Sequence, residues 1–197
     1  RKSVKNKKFF ELDLRDAKEI RLNLQDVEIT SIVHFAGLSI VSDSQKMEKE
    51  YFENNVLASE NLAKFAIEKK IRKFIYSSSA AVYGMPEEIP IREDHPTRPI
   101  NNYGKNKLEV ENLLKDYSME FPLDVVCLRY FNAAGADDDG DIGEEHNPET
   151  HLIPNVINSA LNSNELLING NTYNTDDGTC IRDFVHVSDL ASAHLLS

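Results

Sequence analysis

The sequence predicts an α/β protein built on a mostly parallel β-sheet. Short runs rich in β-branched and aromatic residues recur along the chain, and the longer stretches between them repeat apolar residues every three or four positions. The first pattern is typical of buried strands and the second of amphipathic helices. Strands that alternate with helices form βαβ units with right-handed crossovers, which make neighbouring strands parallel.

Four strands are expected before the pattern changes near residue 131. They cover residues 9–12, 29–35, 73–76 and 124–130. Ligands of parallel sheets bind beyond the carboxyl ends of the strands, because those ends share one edge of the sheet. We therefore expect one cleft, formed by the residues that follow the strands: Asp13, Ala36, Gly37, residues 77–79 and Asn132.

Helices are expected between these strands. They begin near Asp16, cover residues 44–70 as one or two helices, and resume at Tyr103. Four prolines interrupt residues 84–101. Proline lacks the N–H donor that helix and strand interiors need, so this stretch is expected to be a loop.

The chain after about residue 131 has shorter and less regular patterns of apolar residues. The elements expected there are an acidic loop over residues 136–145, a helix over 152–161, a short strand over 165–168, a strand over 182–187 and a helix capped by Ser188. This part therefore carries fewer long regular elements than the first.

The composition argues against a nucleic-acid or membrane protein. The formal net charge is −11, whereas a phosphate backbone is gripped by clustered Lys and Arg. The basic run at residues 5–8 is expected to be a solvated segment. No apolar run approaches the roughly 18 residues that span a bilayer, and residues 1–5 lack the apolar core of a signal peptide. We expect a cytoplasmic protein that binds neither nucleic acid nor membrane.

No metal site is expected from the cysteines. Cys127 and Cys180 lie far apart in the sequence, without the spacing of a zinc site. Two free thiols in a reducing compartment are the expected state.

Tyr103 and Lys107 are the strongest candidates for chemistry. They lie four residues apart in an expected helix, so both side chains can face one cleft. A free phenol has a pKa near ~10, and lowering it to about 7 needs roughly 4 kcal/mol, which a partly desolvated lysine and a serine hydroxyl can supply together. Tyr-x-x-x-Lys is also common on exposed helix faces, so its meaning depends on the serine run at residues 77–79.

Five motifs, in this order, resemble the extended short-chain dehydrogenase/reductase family. They are Val-His-Phe-Ala-Gly at residues 33–37, Ser-Ser-Ser-Ala-Ala-Val-Tyr-Gly at 77–84, Tyr-Gly-Lys-Asn-Lys at 103–107, Arg-Tyr-Phe-Asn at 129–132 and Gly-Thr-Cys-Ile-Arg-Asp-Phe-Val-His-Val at 178–187. The resemblance runs from about Phe10 to the last residue. Five ordered motifs are far more specific than any one of them.

The resemblance implies a partial Rossmann-type, doubly wound parallel sheet. In the strand order 3-2-1-4-5-6, the strand at residues 9–12 would be the third and that at 29–35 the fourth, so the first two strands would be missing. The implied domains are the remainder of an NAD-binding Rossmann domain over residues 1–131, part of a small sugar-nucleotide-binding domain over 132–180, and a strand and helix over 181–197 that return to the Rossmann domain.

The sugar-nucleotide 4-epimerases of this family match best, which implies NAD-dependent interconversion of UDP-glucose and UDP-galactose in galactose metabolism. By this resemblance, the Tyr103 phenolate takes the proton of the sugar 4-hydroxyl while hydride leaves C4 for NAD. The resulting 4-keto sugar turns over and receives the hydride on its other face. Lys107 would lower the tyrosine pKa and hold the nicotinamide ribose, and Ser79 would hydrogen-bond the reacting oxygen.

Other positions match the binding residues of the family. Those implied for NAD are Asp13, Leu14, Phe35, Ala36, Gly37, Leu38, Asn55, Ser79, Tyr103, Lys107 and Phe131. Those implied for the UDP-sugar are Ser79, Tyr103, Asn132, Leu152 and Arg182. An arginine suits a diphosphate because its planar guanidinium donates hydrogen bonds in pairs.

Three residues near these motifs have structural alternatives. Asn55 could cap a helix. Arg182 could pair with Asp183 or Asp189 instead of a phosphate. His34 lies inside an apolar strand and is expected to be a packed core residue.

The sequence also departs from the family pattern. Ser39 stands where many of these epimerases have a lysine, and Thr150 and His151 stand where many have two asparagines. Ala80 and Ala81 replace the acidic pair that drives elimination in related dehydratases, which favours epimerisation. The sequence has no G-x-x-G-x-x-G, which holds the pyrophosphate in the family. We therefore expect the middle of a longer enzyme, inactive by itself.

Two other functions remain open. The enzyme could act on another UDP-sugar, such as UDP-N-acetylglucosamine, UDP-glucuronate or UDP-xylose, or the chain could belong to a catalytically silent NAD-binding regulator. The intact Ser79, Tyr103 and Lys107 argue against the silent regulator. The resemblance implies a homodimer for the full-length protein.

Overall fold

Helices and strands alternate along the chain in the computed structural model, which describes residues 8–197. The α-helices are α1 (Ala17–Leu24), α2 (Val41–Ser44), α3 (Glu48–Tyr51), α4 (Ala58–Glu68), α5 (Asn102–Glu120), α6 (Leu152–Asn162) and α7 (Val187–Leu196). The strands are β1 (Ser31–His34), β2 (Lys73–Ser77), β3 (Asp124–Leu128), β4 (Asn132–Ala134) and β5 (Phe184–His186). A π-helical segment, Phe52–Leu57, joins α3 to α4, and a 3₁₀ turn, Ala80–Val82, follows β2.

The chain divides into two compact units. The first unit runs to Tyr130 and includes Ser197, and the second is Phe131–Leu196. Each is described by itself below.

The first unit contains the parallel sheet that the sequence predicts. Its strand order is β1-β2-β3, with Val33 opposite Ile75 and Ile75 opposite Val126. The central strand β2 is the most deeply covered, and Phe74 and Tyr76 are almost fully buried. All three strands run in one direction, so their carboxyl ends lie along one edge of this sheet.

The helices of the first unit begin where the sequence supplies caps. The Asp16 carboxylate accepts hydrogen bonds from the backbone N–H groups of Lys18 and Glu19, which starts α1. The Asn101 side chain accepts a 2.7 Å hydrogen bond from the Gly104 N–H, which starts α5. Helix α5 then buries Val110 and Leu114 in the core. The first two turns of α5, which carry the tyrosine and the lysine, are thereby fixed against the sheet.

The second unit is organised by a short parallel pair, β4 and β5. Asn132 lies opposite Phe184 and Ala134 opposite His186. Gly135 follows β4 at φ +101°, and a Cβ there would come within 2.2 Å of the His186 ring. Only glycine fits this position, because a side chain would meet both the ring and an unfavourable backbone conformation.

Three expected features differ in the structure. Residues 9–12 and 165–168 form no strand, since an extended segment needs a neighbouring strand for its hydrogen bonds and the described residues supply none there. Ser188 does not cap the last helix: α7 begins at Val187, and the Ser188 N–H donates to His186 Nδ1 at 3.2 Å. The expected basic segment at residues 5–8 lies outside the described residues, except for Lys8.

The loops over residues 84–101 and 136–145 are confirmed as irregular segments. Strand β4 was not expected, because three residues are too short to give a pattern in the sequence. No helix within residues 8–197 combines the length and the apolar character that crossing a membrane requires.

Candidate active site

The carboxyl edge of the three-stranded sheet brings three predicted segments together in the first unit. β1 leads into residues 35–38, β2 into the serine run, and β3 into Arg129 and Tyr130. Strand pairing continues into the serine run, where the Ser78 N–H donates to the Leu128 carbonyl at 2.9 Å and the Ala80 N–H to the Tyr130 carbonyl at 3.0 Å. The predicted convergence is confirmed for these three strand ends.

Ser79 is placed by the turn that it starts. Its hydroxyl caps the 3₁₀ turn Ala80–Val82 by accepting a 3.2 Å hydrogen bond from the Ala81 N–H. The same side chain hydrogen-bonds Tyr103. The structure therefore joins the serine predicted from the second motif to the tyrosine predicted from the third.

Tyr103 is half-buried at the start of α5, and its environment favours the neutral phenol. Burial raises the pKa of Tyr103 above its ordinary value, because a phenolate loses hydration there. The hydrogen bond from Ser79 acts in the opposite direction and lowers this pKa, while Tyr130 and Tyr51 raise it further. In this structure Tyr103 is consequently a neutral phenol. A nearby positive charge would be needed to stabilise the phenolate, which is the form that acts as a base.

Lys107 lies one helical turn after Tyr103 and is 5% exposed. Its ammonium donates a 2.7 Å hydrogen bond to the Ser77 carbonyl, 4.8 Å from the centroid of the Tyr76 ring. Burial lowers the pKa of Lys107 to about 8, although the nearby Glu111 carboxylate raises it. An ammonium has three N–H donors, and within the described residues only the Ser77 carbonyl accepts one. Two donors thus remain available for a ligand.

Behind this pair lies a buried network that sequence reasoning missed. Glu111 is 7% exposed and accepts hydrogen bonds from Arg129 through Nη2 at 2.6 Å and through Nε at 3.0 and 3.1 Å. Ser78 donates its hydroxyl to the same carboxylate, and Arg129 Nη1 donates to the Tyr83 hydroxyl at 3.1 Å. The available signal was spacing: Glu111 follows Lys107 by the same four residues that separate Lys107 from Tyr103. The network ties α5 to both the serine run and the end of β3.

Asn55 holds the loop that follows β1. It is 1% exposed, its Oδ1 accepts from the Leu38 N–H at 2.7 Å, and its Nδ2 donates to the Leu38 carbonyl at 2.9 Å. Gly37 approaches so closely that a Cβ there would lie 2.9 Å from Asn55 Oδ1. The helix-cap alternative is wrong, because Asn55 lies inside the π-helical segment Phe52–Leu57. Phe35, the first residue of this loop, is 58% exposed.

Asp13 and Leu14 lie in a turn rather than after a strand. The Asp13 carboxylate is held by Arg15, whose Nη2 lies 2.7 Å away, and this hydrogen-bonded pair lowers the pKa of Asp13. The Leu14 side chain packs against the core, and its carbonyl accepts from Asn61 at 3.1 Å. Asp13 is thus held by a residue close to it in sequence, whereas Leu14 is held by the core and by α4.

His34 is the packed core residue that the sequence predicts. It is 2% exposed, and its Nε2 lies 2.8 Å from the Ser59 hydroxyl. Burial lowers the pKa of His34 to about 4, and the Lys107 ammonium adds to this effect. His34 is therefore neutral at pH 7.

The remaining candidates belong to the second unit. Asn132 begins β4, and its backbone and side-chain N–H groups both donate to the Asp183 carbonyl, at 3.2 and 2.7 Å. Leu152 is the first residue of α6 and is 55% exposed, and Phe131 is 43% exposed.

Arg182 is exposed, and its Nη1 donates to the Ile181 carbonyl at 2.9 Å. The ion-pair alternative is wrong within residues 8–197, since the exposed Arg182 side chain forms no salt bridge with Asp183 or Asp189 there. Cys127 and Cys180 are free thiols, as expected.

The first-unit residues fit a dinucleotide cofactor by two observations. The buried Lys107 ammonium has N–H donors available that suit ribose hydroxyls. Gly37 has no side chain at the point where Asn55 anchors the exposed loop after β1. Glycine at such a point leaves main-chain groups open to a ligand.

Comparison with known proteins gives a consistent result. The family model described as the NAD dependent epimerase/dehydratase family matches residues 1–197. A UDP-glucose 4-epimerase of Halalkalibacterium halodurans is 46% identical over 190 residues, covering 96% of this chain and 57% of that protein. The chain thus spans little more than half the length of this relative.

Two solved structures have the same fold over almost the whole chain. A crystal structure of a UDP-glucose 4-epimerase superposes with a TM-score of 0.92 at 44% identity, covering 98% of this chain and 59% of the other. The enzyme of Bifidobacterium longum, in complex with NAD+ and UDP, superposes with a TM-score of 0.89 at 37% identity, covering 94% of this chain and 57% of the other. These matches confirm the Rossmann-like α/β fold class.

Proposed function

The chain belongs to the NAD dependent epimerase/dehydratase family, and we propose that the protein carrying it is an NAD-dependent UDP-glucose 4-epimerase, an isomerase. The observation that carries the proposal is the meeting of Ser79, Tyr103 and Lys107 at the carboxyl edge of the parallel sheet. Relatives at 37–46% identity bear this activity in their names.

The proposed cofactor site is built from two parts of the first unit. NAD bound there would supply the hydride acceptor and donor for the sugar C4, and its positively charged ring would favour a nearby phenolate. The loop over residues 35–38, anchored by Asn55, would line the cofactor, and Lys107 would donate its two remaining N–H groups to the ribose. Asp13 and Leu14 are further proposed contacts in the first unit, and Phe131, the first residue of the second unit, is a proposed contact by family resemblance alone.

Tyr103 is the proposed base. As C4 is oxidised to a ketone, the phenolate would take the proton of the 4-hydroxyl. The resulting phenol would return this proton to the C4 oxygen when C4 is reduced on its opposite face. Ser79 already hydrogen-bonds the tyrosine and lowers its pKa, so it is placed to hold the reacting oxygen as well. This role requires that bound ligands offset the effect of burial on the Tyr103 pKa.

The UDP group is proposed to contact Asn132, Leu152 and Arg182. Arg182 supports this assignment because its guanidinium is exposed and lacks an ion-pair partner among the described residues. Ala80 and Ala81 follow the catalytic serine without an acidic side chain, which supports epimerisation rather than elimination.

A coupled assay on the full-length protein tests the function. It should interconvert UDP-glucose and UDP-galactose with NAD present. Turnover of only UDP-N-acetylglucosamine, UDP-glucuronate or UDP-xylose would move the proposal to that substrate. NAD binding without turnover of any UDP-sugar would instead support the silent regulator and refute the proposed enzyme.

We further propose that residues 1–197 by themselves are inactive. The sequence lacks the glycine-rich motif, and β1 pairs on one side only among the described strands, with Val33 43% exposed beside it. An unpaired edge next to apolar surface favours association with other chains. A 197-residue chain that is monodisperse, binds NAD and epimerises UDP-sugars would contradict this proposal. The proposed full-length enzyme is a homodimer with the three-part domain division given by the sequence.

A further inference from the structure

Four side chains converge in the second unit just before α6. They are Glu144, His146, Glu149 and His151, and one ligand atom from each lies within 4.8 Å of all the others. The two imidazole rings stand nearly perpendicular, with centroids 5.0 Å apart. His146 Nδ1 lies 2.8 Å from a Glu144 oxygen, and His151 Nδ1 contacts the same oxygen. Two nitrogen and two oxygen atoms that can ligate a metal therefore lie close together.

The charge of this cluster is not balanced by basic residues. Glu144 and Glu149 form no ion pair with a lysine or arginine among residues 8–197, where the ionisable side chains that they contact are the two histidines. The preceding loop adds further negative charge, through Asp137, Asp138, Asp139, Asp141 and Glu145. The two carboxylates contribute negative charge to the cluster, so a divalent cation would complement it.

We propose that Glu144, His146, Glu149 and His151 bind a divalent transition-metal cation, with Zn²⁺ as the best match. Two imidazole nitrogens and two carboxylate oxygens form the donor set of a four-coordinate zinc site, with bonds of about 2.0–2.2 Å. Nitrogen donors select such an ion over Mg²⁺ and Ca²⁺, which take oxygen ligands. The Glu149 Oε1 atom accepts the Thr150 and His151 backbone N–H groups at 2.8 Å, which fixes this carboxylate and leaves its second oxygen for the cation.

The site is accessible and locally built. The side chains of His146 and His151 are about half exposed, at 49% and 55%, which gives an ion a path from solvent. All four ligands come from one eight-residue segment, Glu-x-His-x-x-Glu-x-His, that ends where α6 begins at Leu152. A bound cation would pin this segment to the start of α6. The expectation of no metal rested on cysteine spacing, which cannot reveal such a site.

Zn²⁺ titration of the full-length protein, prepared without a histidine tag, tests the site. Isothermal titration calorimetry at pH 7.5 should show one ion per chain. Removal of a direct ligand in His146→Ala or His151→Ala should weaken binding by at least about 100-fold, which exceeds the 10- to 100-fold loss typical when only a hydrogen-bond partner of a ligand is removed. Mg²⁺ should not displace the ion.

Matched variants and a direct probe make the result decisive. Glu144→Gln should weaken binding, whereas Glu145→Gln, which removes the same charge from the neighbouring exposed position, should not. Substitution with Co²⁺ should give the intense visible bands of four-coordinate geometry, and these bands should vanish in the His146→Ala/His151→Ala double variant. Equal Zn²⁺ affinity in the wild type and the double variant, or equal loss in Glu144→Gln and Glu145→Gln, would overturn the proposal.

Discussion

The Lys107 ammonium lies 5.7 Å from the centroid of the Tyr103 ring, and its hydrogen bond goes to the Ser77 carbonyl instead of the phenol. The hydrogen bond that lowers the pKa of Tyr103 comes from Ser79. Serine and lysine thus do different work in this structure. Ser79 hydrogen-bonds the phenol, whereas the Lys107 ammonium lies near the Tyr76 and Tyr103 rings with two N–H donors available for a ligand.

Tyr103→Phe should abolish turnover and leave nucleotide binding intact. Loss of a general base typically costs about 10²- to 10⁴-fold in kcat, and the phenylalanine keeps the packing of the ring. We would measure kcat with UDP-galactose and NAD affinity by fluorescence. Tyr117→Phe on the same helix, whose hydroxyl lies 3.4 Å from Glu60, is the control and should retain wild-type kcat. Normal epimerisation by Tyr103→Phe would disprove the proposed base.

Ser79→Ala should move the acid limb of the pH–kcat profile to higher pH. The alanine removes the hydrogen bond that lowers the Tyr103 pKa, so the phenolate forms only at higher pH. One side-chain hydrogen bond is worth about 0.5–1.5 kcal/mol, which corresponds to a displacement of roughly half to one pH unit. Ser79→Thr keeps the hydroxyl and should restore the limb. An unmoved limb in Ser79→Ala would show that this serine does not tune the tyrosine.

The sequence predicts best those features whose causes are local. Asp16 caps α1 with its own carboxylate, and the β-branched and aromatic run at β2 is buried as its pattern indicates. Residues 9–12 have a similar local pattern but form no strand, because a strand depends on a neighbour elsewhere in the chain. The elements predicted from a local cause are therefore confirmed, whereas the strand prediction that depended on pairing with a distant segment is wrong.

The site divides along the same line. The Tyr103–Lys107 spacing could be read from the helix period, whereas the hydrogen bonds between Glu111 and Arg129 join residues 18 apart through the packing of α5 on the sheet. The bonds between Asn55 and Leu38 span 17 residues and likewise need the folded loop. Such contacts cannot be predicted from a local pattern of residue types, because only the fold brings the two partners together.

His34 should make the protein sensitive to acid. Its folded pKa of about 4 lies below the ordinary 6.5, so the unfolded chain takes up the proton first. The stabilisation is complete above pH 6.5 and is lost as the pH falls towards 4, by about 3 kcal/mol in all. Urea unfolding between pH 4 and 7 should show this loss in the wild type and a flatter profile in His34→Gln, which keeps a donor for Ser59.

The carboxylates titrate in the same pH range in every variant, so the difference between profiles isolates the histidine. Parallel profiles for wild type and His34→Gln would show that burial of this imidazole does not set the acid sensitivity.

Glu111 and Arg129 should be coupled in stability and should position the catalytic residues. Breaking a fully buried pair costs about 3–5 kcal/mol, and we expect about 2–3 kcal/mol for Glu111→Leu or Arg129→Met, because the Arg129 side chain is 24% exposed. The double variant leaves no unpaired charge, so its loss should be clearly smaller than the sum of the single losses. Unfolding free energies in urea give the three values.

The same variants separate positioning from simple destabilisation. Glu111→Leu removes the acceptor of Ser78 and the anion that raises the pKa of Lys107, so this pKa should fall further below about 8 and kcat should fall even at temperatures where the protein stays folded. Glu109→Leu, on the exposed side of α5, should change neither quantity. Additive losses in the double variant, together with an unchanged kcat in Glu111→Leu, would show that the network contributes neither coupling nor positioning.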